Sequence, residues 1–219
     1  MIYAENILIC IAVPLVISVL FLKKSARRFV SAFLIGMVAC LLSAYIAGFL
    51  NLVTGMGEND TAVFLSPIVE ELMKLMPILF YLLVFLPEDH GLLPVAVGVG
   101  AGFATFENCC YILTSGAENL GYVLIRGMAV GVMHIVSILT LTIALIALRR
   151  YRAMTFSGVA GALSLAVIFH ALYNLPVSEP GISSYVGYAL PVLTAAVLYL
   201  PSKKGWISQD TAEVPSEPR

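Results

Sequence analysis

The feature that most constrains this chain is a cluster of charges inside an apolar run. The sequence from Ala62 to Leu86 is long and apolar enough to span a bilayer, yet it contains Glu70, Glu71 and Lys74. Each charged side chain at membrane depth costs at least about 2.5 kcal/mol. Three charges in one segment therefore require either a structural ion pair or a chemical role, and the other segments must decide between these two readings.

The composition predicts an all-α polytopic protein, located in the cell membrane as a multi-pass protein. The 219 residues are 60% hydrophobic and only 11% charged, whereas a soluble domain is about 25% charged. No basic face alternates with aromatic residues, so nucleic acid is not an expected partner, and the lipid bilayer is. The four cysteines lie in apolar segments without CxxC spacing, which favours a packing role over a metal or redox role.

Polar breaks divide the chain into about seven apolar segments, and most of them are close to the roughly 20 residues that a transmembrane helix needs. The segments are Ala4–Leu22, Phe29–Val53, Ala62–Leu86, Leu92–Thr114, Leu120–Leu148, Thr155–Val177 and Ile182–Leu200. This pattern predicts one transmembrane domain over residues 1–200. The remaining residues, 201–219, are polar and are expected to form a disordered cytoplasmic tail.

Basic residues follow the first, fifth and seventh segments, which all end on the same side of a seven-span protein. These residues are Lys23, Lys24, Arg27, Arg28, Arg149, Arg150, Arg152, Lys203 and Lys204. Cytoplasmic loops are enriched in Lys and Arg. We therefore predict that the N-terminus is outside and that the C-terminus is cytoplasmic.

Ionisable residues from four segments are expected at overlapping membrane depths. With a rise of about 1.5 Å per residue, Glu70, Glu107 and His170 lie roughly 11–12 Å below the outer boundary, and His134 lies about 20 Å below it. Scattered structural residues have no reason to converge in this way. The convergence predicts a single polar site in the outer half of the membrane.

Helical spacing groups further residues with these. Lys74 can reach either carboxylate of its own segment, and Phe103 shares a face with Glu107. Glu107 has no basic neighbour on its own helix, so its partner must come from another segment, and Arg126 is one candidate. His170 and Asn174 share a face, and their imidazole and amide can both donate hydrogen bonds, as an oxyanion hole requires.

Together these residues resemble the PrsW family of intramembrane proteases, within the wider CAAX-protease and bacteriocin-processing superfamily. The resemblance rests on EExxK (Glu70, Glu71, Lys74), FxxxEN (Phe103, Glu107, Asn108), a histidine in the next helix (His134) and HxxxN (His170, Asn174). It implies a glutamate-dependent, metal-independent protease without a cofactor. It also implies a single-pass membrane protein or peptide as substrate, such as an anti-sigma factor, cleaved near the extracytoplasmic side.

The chain departs from the prenyl-protease branch of that superfamily. That branch has EExxxR where this chain has EExxK, and it has a histidine where this chain has Glu107. A prenylated CAAX substrate is therefore less expected, and His134 is a candidate for the missing imidazole.

The sequence suggests the following division of roles in peptide hydrolysis. Glu70 is the general base on water, and Glu71 orients the site and pairs with Lys74. Glu107, together with His134, holds the water or transfers its proton. His170 and Asn174 donate hydrogen bonds to the developing oxyanion.

Two alternatives remain open. Three glutamates and two histidines could bind zinc, although no HExxH pair is present and Lys74 adds positive charge. Buried glutamates and histidines also form proton relays in transporters, but no inverted repeat is evident in this sequence.

Overall fold

The computed structural model describes residues 4–115, 120–179 and 181–201. These residues form α-helices and one π-helical turn, with no strand among them. The elements are α1 (Ala4–Phe21), α2 (Lys24–Thr54), the short α3 (Glu58–Asp60), the π-helical turn (Thr61–Leu65), α4 (Ser66–Phe85), α5 (Asp89–Ser115), α6 (Leu120–Arg150), α7 (Phe156–Val177) and α8 (Ile182–Pro201). The all-α prediction is confirmed.

The helix boundaries follow the polar breaks with local differences. The second helix begins at Lys24, so Arg27 and Arg28 lie inside α2 and not in a loop before it. The break after α2 contains the short helix α3, which leads directly into the π-helical turn. Helices extend into these polar stretches because charged residues at helix ends remain in contact with water or lipid headgroups.

Five of the described helices are long and apolar enough to cross a membrane, namely α1, α2, α5, α6 and α7. The helix α4 has 20 residues, but it carries Glu70, Glu71 and Lys74. The count of seven spans and the orientation of the termini stay predictions. The predicted disordered tail lies almost entirely outside the described residues.

Small residues allow α2 and α5 to pack with their backbones close together. A Cβ atom at Gly98 would lie 2.8 Å from the carbonyl oxygen of Phe29, and one at Gly102 would overlap the carbonyl of Phe33. Gly36 of α2 meets the backbone of Val99 in the same way. Close approach through small residues is a common way for membrane helices to associate. This contact sets the position of α5, which carries Glu107.

Arginine contacts bring several basic residues to one end of the bundle. Arg149, near the end of α6, donates hydrogen bonds to Asp89 and to the carbonyl of Pro87, and Arg150 also bonds Asp89. Burial alone would raise the pKa of Asp89, but the hydrogen bonds from Arg149 and Arg150 outweigh burial and lower this pKa below its ordinary value. At the start of α2, Arg28 donates to the hydroxyl of Tyr81 near the end of α4.

Candidate functional site

Glu71 is the centre of a fully buried charge network between α4 and α7. Its Oε1 atom accepts a hydrogen bond from Lys74 Nζ at 2.5 Å and lies 2.8 Å from His170 Nδ1. The side chains of Glu71 and Lys74 have no exposed surface. An ionised carboxylate can only accept hydrogen bonds, so His170 carries its proton on Nδ1. Its Nε2 lone pair therefore faces away from Glu71.

His134 of α6 is held in the opposite tautomer. Its Nδ1 atom lies 3.0 Å from Lys74 Nζ, and its Nε2 atom lies 2.5 Å from Glu107 Oε2. An ammonium group has no lone pair to offer. Nδ1 must therefore accept from Lys74, and Nε2–H donates to Glu107. Phe103, which is fully buried, packs against the His134 ring with the two ring centroids 4.8 Å apart.

Glu70 lies in the second turn of α4 and leaves an atom unpaired at the centre of the cluster. Its Oε2 atom is buried and has no hydrogen-bond partner among the described residues. His170 Nε2 lies 3.7 Å from it. This separation is too long for a direct hydrogen bond. A carboxyl oxygen and an imidazole nitrogen thus face each other without a direct hydrogen bond, an arrangement suited to a bound water or cation.

Glu107 and Arg126 form the more exposed edge of the site. Arg126 Nη2 lies 3.4 Å from Glu107 Oε1, and the Glu107 side chain is 32% exposed. The guanidinium carbon of Arg126 lies 3.6 Å from the centroid of the Tyr111 ring. The Glu107–Arg126 pair considered from the sequence is therefore present, but Glu107 also contacts His134. Glu107 thus connects the buried histidine to the surface of the bundle.

Asn174 does not converge with His170 on a common point. Its Nδ2 atom donates to the carbonyl oxygen of Ala62 at 2.9 Å. In the π-helical turn, the Ser66 amide bonds the carbonyl of Thr61, and the next amide along the chain belongs to Pro67, which has no hydrogen. The Ala62 carbonyl is therefore left without a helical donor, and Asn174 supplies one.

This arrangement changes the interpretation of the HxxxN motif. His170 Nδ1 faces Glu71, and the Asn174 amide is bonded to backbone. In this geometry neither group donates a hydrogen bond toward Glu70. Asn108 makes no side-chain hydrogen bond within the described part of the chain.

The sequence reasoning did not select Tyr111 or the π-helical turn. Tyr111 lies four residues after Glu107 and eight after Phe103, so the same i,i+4 spacing that linked those two residues also points to it. The π-helical turn had a weaker signal, the proline at position 67 just before the two glutamates. Turns of this type occur often at functional sites.

The donor set of the cluster fits a zinc ion. Glu70, His134 and His170 each offer a ligand atom, and these atoms lie within 4.8 Å of one another. Two imidazoles and one carboxylate with an open fourth position are typical of catalytic zinc sites. The 3.7 Å between Glu70 Oε2 and His170 Nε2 is close to the roughly 3.4 Å that separates two tetrahedral zinc ligands.

The surrounding residues also agree with a metal. A ligating histidine usually donates its other ring N–H to a carboxylate, as His170 does to Glu71. The ammonium of Lys74 would oppose a cation, but Glu71 compensates its charge at 2.5 Å. Ligation through His134 Nε2 would require the Nε2 proton to leave and Nδ1 to gain a proton from Lys74, because a neutral imidazole that binds a metal through one nitrogen is protonated on the other. The expectation that no metal is needed stays a prediction.

A family model matches this chain over most of its length. The model of a family described as PrsW family intramembrane metalloprotease matches residues 24–200. No curated protein and no solved structure matches this chain. The matched region spans α2 to α8 and includes every residue of the cluster. Because the match covers most of the sequence, the chain belongs to the PrsW family of intramembrane proteases.

Proposed function

We propose that this chain is an endopeptidase that hydrolyses a peptide bond of a membrane-anchored substrate at the cluster around Glu70, with a zinc ion held by Glu70, His134 and His170. The observation that carries the proposal is the unpaired Glu70 Oε2, which faces the lone pair of His170 inside a buried group of three ligand atoms. A bound zinc ion supplies Lewis acidity, which polarises a carbonyl group and makes a bound water more acidic.

The remaining residues orient and balance this site. Glu71 holds His170 in the tautomer that presents Nε2, and Lys74 balances the charge of Glu71. Glu107 is the most exposed carboxylate of the cluster, with 32% of its side chain exposed compared with 18% for Glu70. It is positioned to take the proton of the attacking water and to return it to the leaving amine. Arg126 places a positive charge 3.4 Å from Glu107.

The location of the cluster supports a membrane-anchored substrate, as in the cleavage of anti-sigma factors. Glu70 lies early in α4, and His170 lies in the last third of α7. Both positions are far from the end where Arg28 and Arg149 lie. If that basic end is cytoplasmic, the site is in the outer half of the bilayer. A single-pass protein can present a bond at this depth, whereas a soluble protein cannot.

A second candidate mechanism needs no metal. The observation in its favour is that the His134–Glu107 and His134–Lys74 contacts satisfy both ring nitrogens without an ion. In that mechanism Glu70 is the general base on water, as the sequence suggested. Relation to the CAAX proteases and a prenylated substrate remain predictions from the sequence.

Metal content and turnover, measured on the same purified samples, separate the two mechanisms. We expect about one zinc ion per wild-type chain, loss of zinc in Glu70→Gln, and retained zinc with at least about 10²-fold lower turnover in Glu107→Gln. The Glu58→Gln variant removes an exposed carboxylate outside the cluster and should match the wild type.

Chelation completes the experiment. Reconstituted protein with a single-pass substrate should lose cleavage after chelation and regain it when zinc is added. If cleavage survives removal of all metal and is lost only in Glu70→Gln, the metal-free mechanism is correct. If Glu70→Gln and Glu107→Gln both cleave normally, this cluster is not the active site.

A further inference from the structure

A groove on the side of the bundle lies apart from the candidate active site. It has a volume of about 400 Å³ and is formed by α2, α4 and α5. Most of its wall is apolar, with Ile35, Phe80 and Val99 among the residues that line it. Ile35 and Phe80 are 48% and 61% exposed. None of its lining residues belongs to the cluster around Glu70. A ligand of this groove would therefore be distinct from the peptide bound at the candidate active site.

One end of the groove is strongly basic. Arg27 and Arg28 both line it and both are exposed. Arg28 bonds the hydroxyl of Tyr81, which fixes the guanidinium at the mouth of the groove. Arg27 forms no side-chain hydrogen bond or ion pair with any described residue. Two cations at the end of an apolar channel match an anionic head attached to a hydrocarbon chain.

The length of the groove matches one leaflet of a bilayer. From Arg27 to Ile35 along α2, and from Phe85 back to Pro77 along α4, the distance is about 12 Å. Half of the hydrocarbon core measures about 15 Å. A transmembrane helix of a substrate would leave more than half of its length outside such a groove. One acyl chain of a lipid extends through about one leaflet, so most of its length would lie in the groove.

We propose that this groove is a binding site for an anionic phospholipid. The phosphate contacts Arg27 and Arg28, and one acyl chain lies along α2 and α4 toward Pro77. Basic pockets between transmembrane helices are a known form of lipid headgroup recognition. The site is independent of the proposed catalytic cluster, so it stands even if the zinc proposal fails.

The test uses the full chain in detergent micelles that contain either phosphatidylglycerol or phosphatidylcholine, with retained lipid counted by native mass spectrometry. We expect wild-type protein to retain phosphatidylglycerol selectively. The double variant R27Q/R28Q should bind it about 30-fold more weakly, which corresponds to about 1 kcal/mol per arginine. The matched control K23Q/K24Q removes the same charge from the same end without touching the groove, and it should change binding less than about threefold.

A second variant tests the acyl chain without changing charge. Ser31 lines the groove, so Ser31→Phe should fill it and displace the lipid while both arginines remain. Equal retention of the two lipids, or equal losses in R27Q/R28Q and K23Q/K24Q, would overturn the proposal. Crosslinking of a substrate peptide, and not of a photoreactive lipid, at Ile35 would show that the groove binds substrate and would also overturn it.

Discussion

Glu71 and Lys74 form a fully buried ion pair, and its energy can be measured by removing one partner at a time. Glu71→Gln keeps the shape of the side chain and an oxygen that can accept from His170 Nδ1. It leaves the Lys74 ammonium without the carboxylate that now lies 2.5 Å away. We predict a loss of about 3–5 kcal/mol in the free energy of unfolding, because an uncompensated charge then remains in the interior.

The double variant Glu71→Gln/Lys74→Met tests the same reasoning in the opposite direction. Lys74→Met alone leaves the Glu71 carboxylate buried with only His170 as side-chain donor, so it should cost a similar amount. With both substitutions no unpaired charge remains at this position. We therefore expect the double variant to be more stable than either single variant, with a coupling energy of at least about 2 kcal/mol.

The stabilities can be compared by unfolding the four proteins in mixed micelles with increasing SDS, using circular dichroism to follow helix content. The reasoning is refuted if each single variant loses less than about 1 kcal/mol, or if the double variant loses the sum of the two single losses. Peptide cleavage is measured separately, because a stable double variant need not be active.

Three further predictions test individual contacts. Asn174→Ala should lower stability by about 1–2 kcal/mol, because it leaves the carbonyl of Ala62 without a donor. Turnover should change less than tenfold. A loss of 10²-fold or more in turnover would instead support the oxyanion role. Gly102→Ala should prevent stable folding or cost several kcal/mol, as judged by SDS unfolding. In the control Gly131→Ala the added methyl group meets nothing within 4 Å, so stability should not change. Similar behaviour of the two variants would contradict the close α2–α5 packing. Asp89→Asn should cost at most about 1 kcal/mol at neutral pH. The difference from wild type should shrink as the pH falls through the lowered pKa of Asp89, since this carboxylate stabilises the fold only while it is ionised. A difference that does not depend on pH would argue against the contact with Arg149.

Much of the architecture follows from local chemistry and was predictable from the sequence. Apolar runs of about 20 residues must form helices in a bilayer, because every backbone group needs a partner within its own segment. The charges in the third segment were too costly to be incidental. For these reasons the all-α fold, the approximate helix bounds and the family resemblance all agree with the structure and with the family match.

The pairing of side chains depends on which helix faces which, and only the tertiary structure decides that. Helical spacing allowed Lys74 to pair with either Glu70 or Glu71. In the structure Lys74 bonds Glu71 Oε1, the same oxygen that contacts His170 of α7. Spacing gave Glu107 several possible partners, and the structure gives it both His134 and Arg126.

Asn174 shows the limit of a motif most clearly. From the sequence, its position four residues after His170 indicated a shared target. In the fold, Pro67 and the π-helical turn leave the carbonyl of Ala62 without a donor, and the Asn174 amide satisfies it. The sequence by itself determined which polar residues lie within apolar helices. The packing of α4, α5, α6 and α7 determined which atoms remain unpaired, and the unpaired Glu70 Oε2 marks the centre of the candidate site.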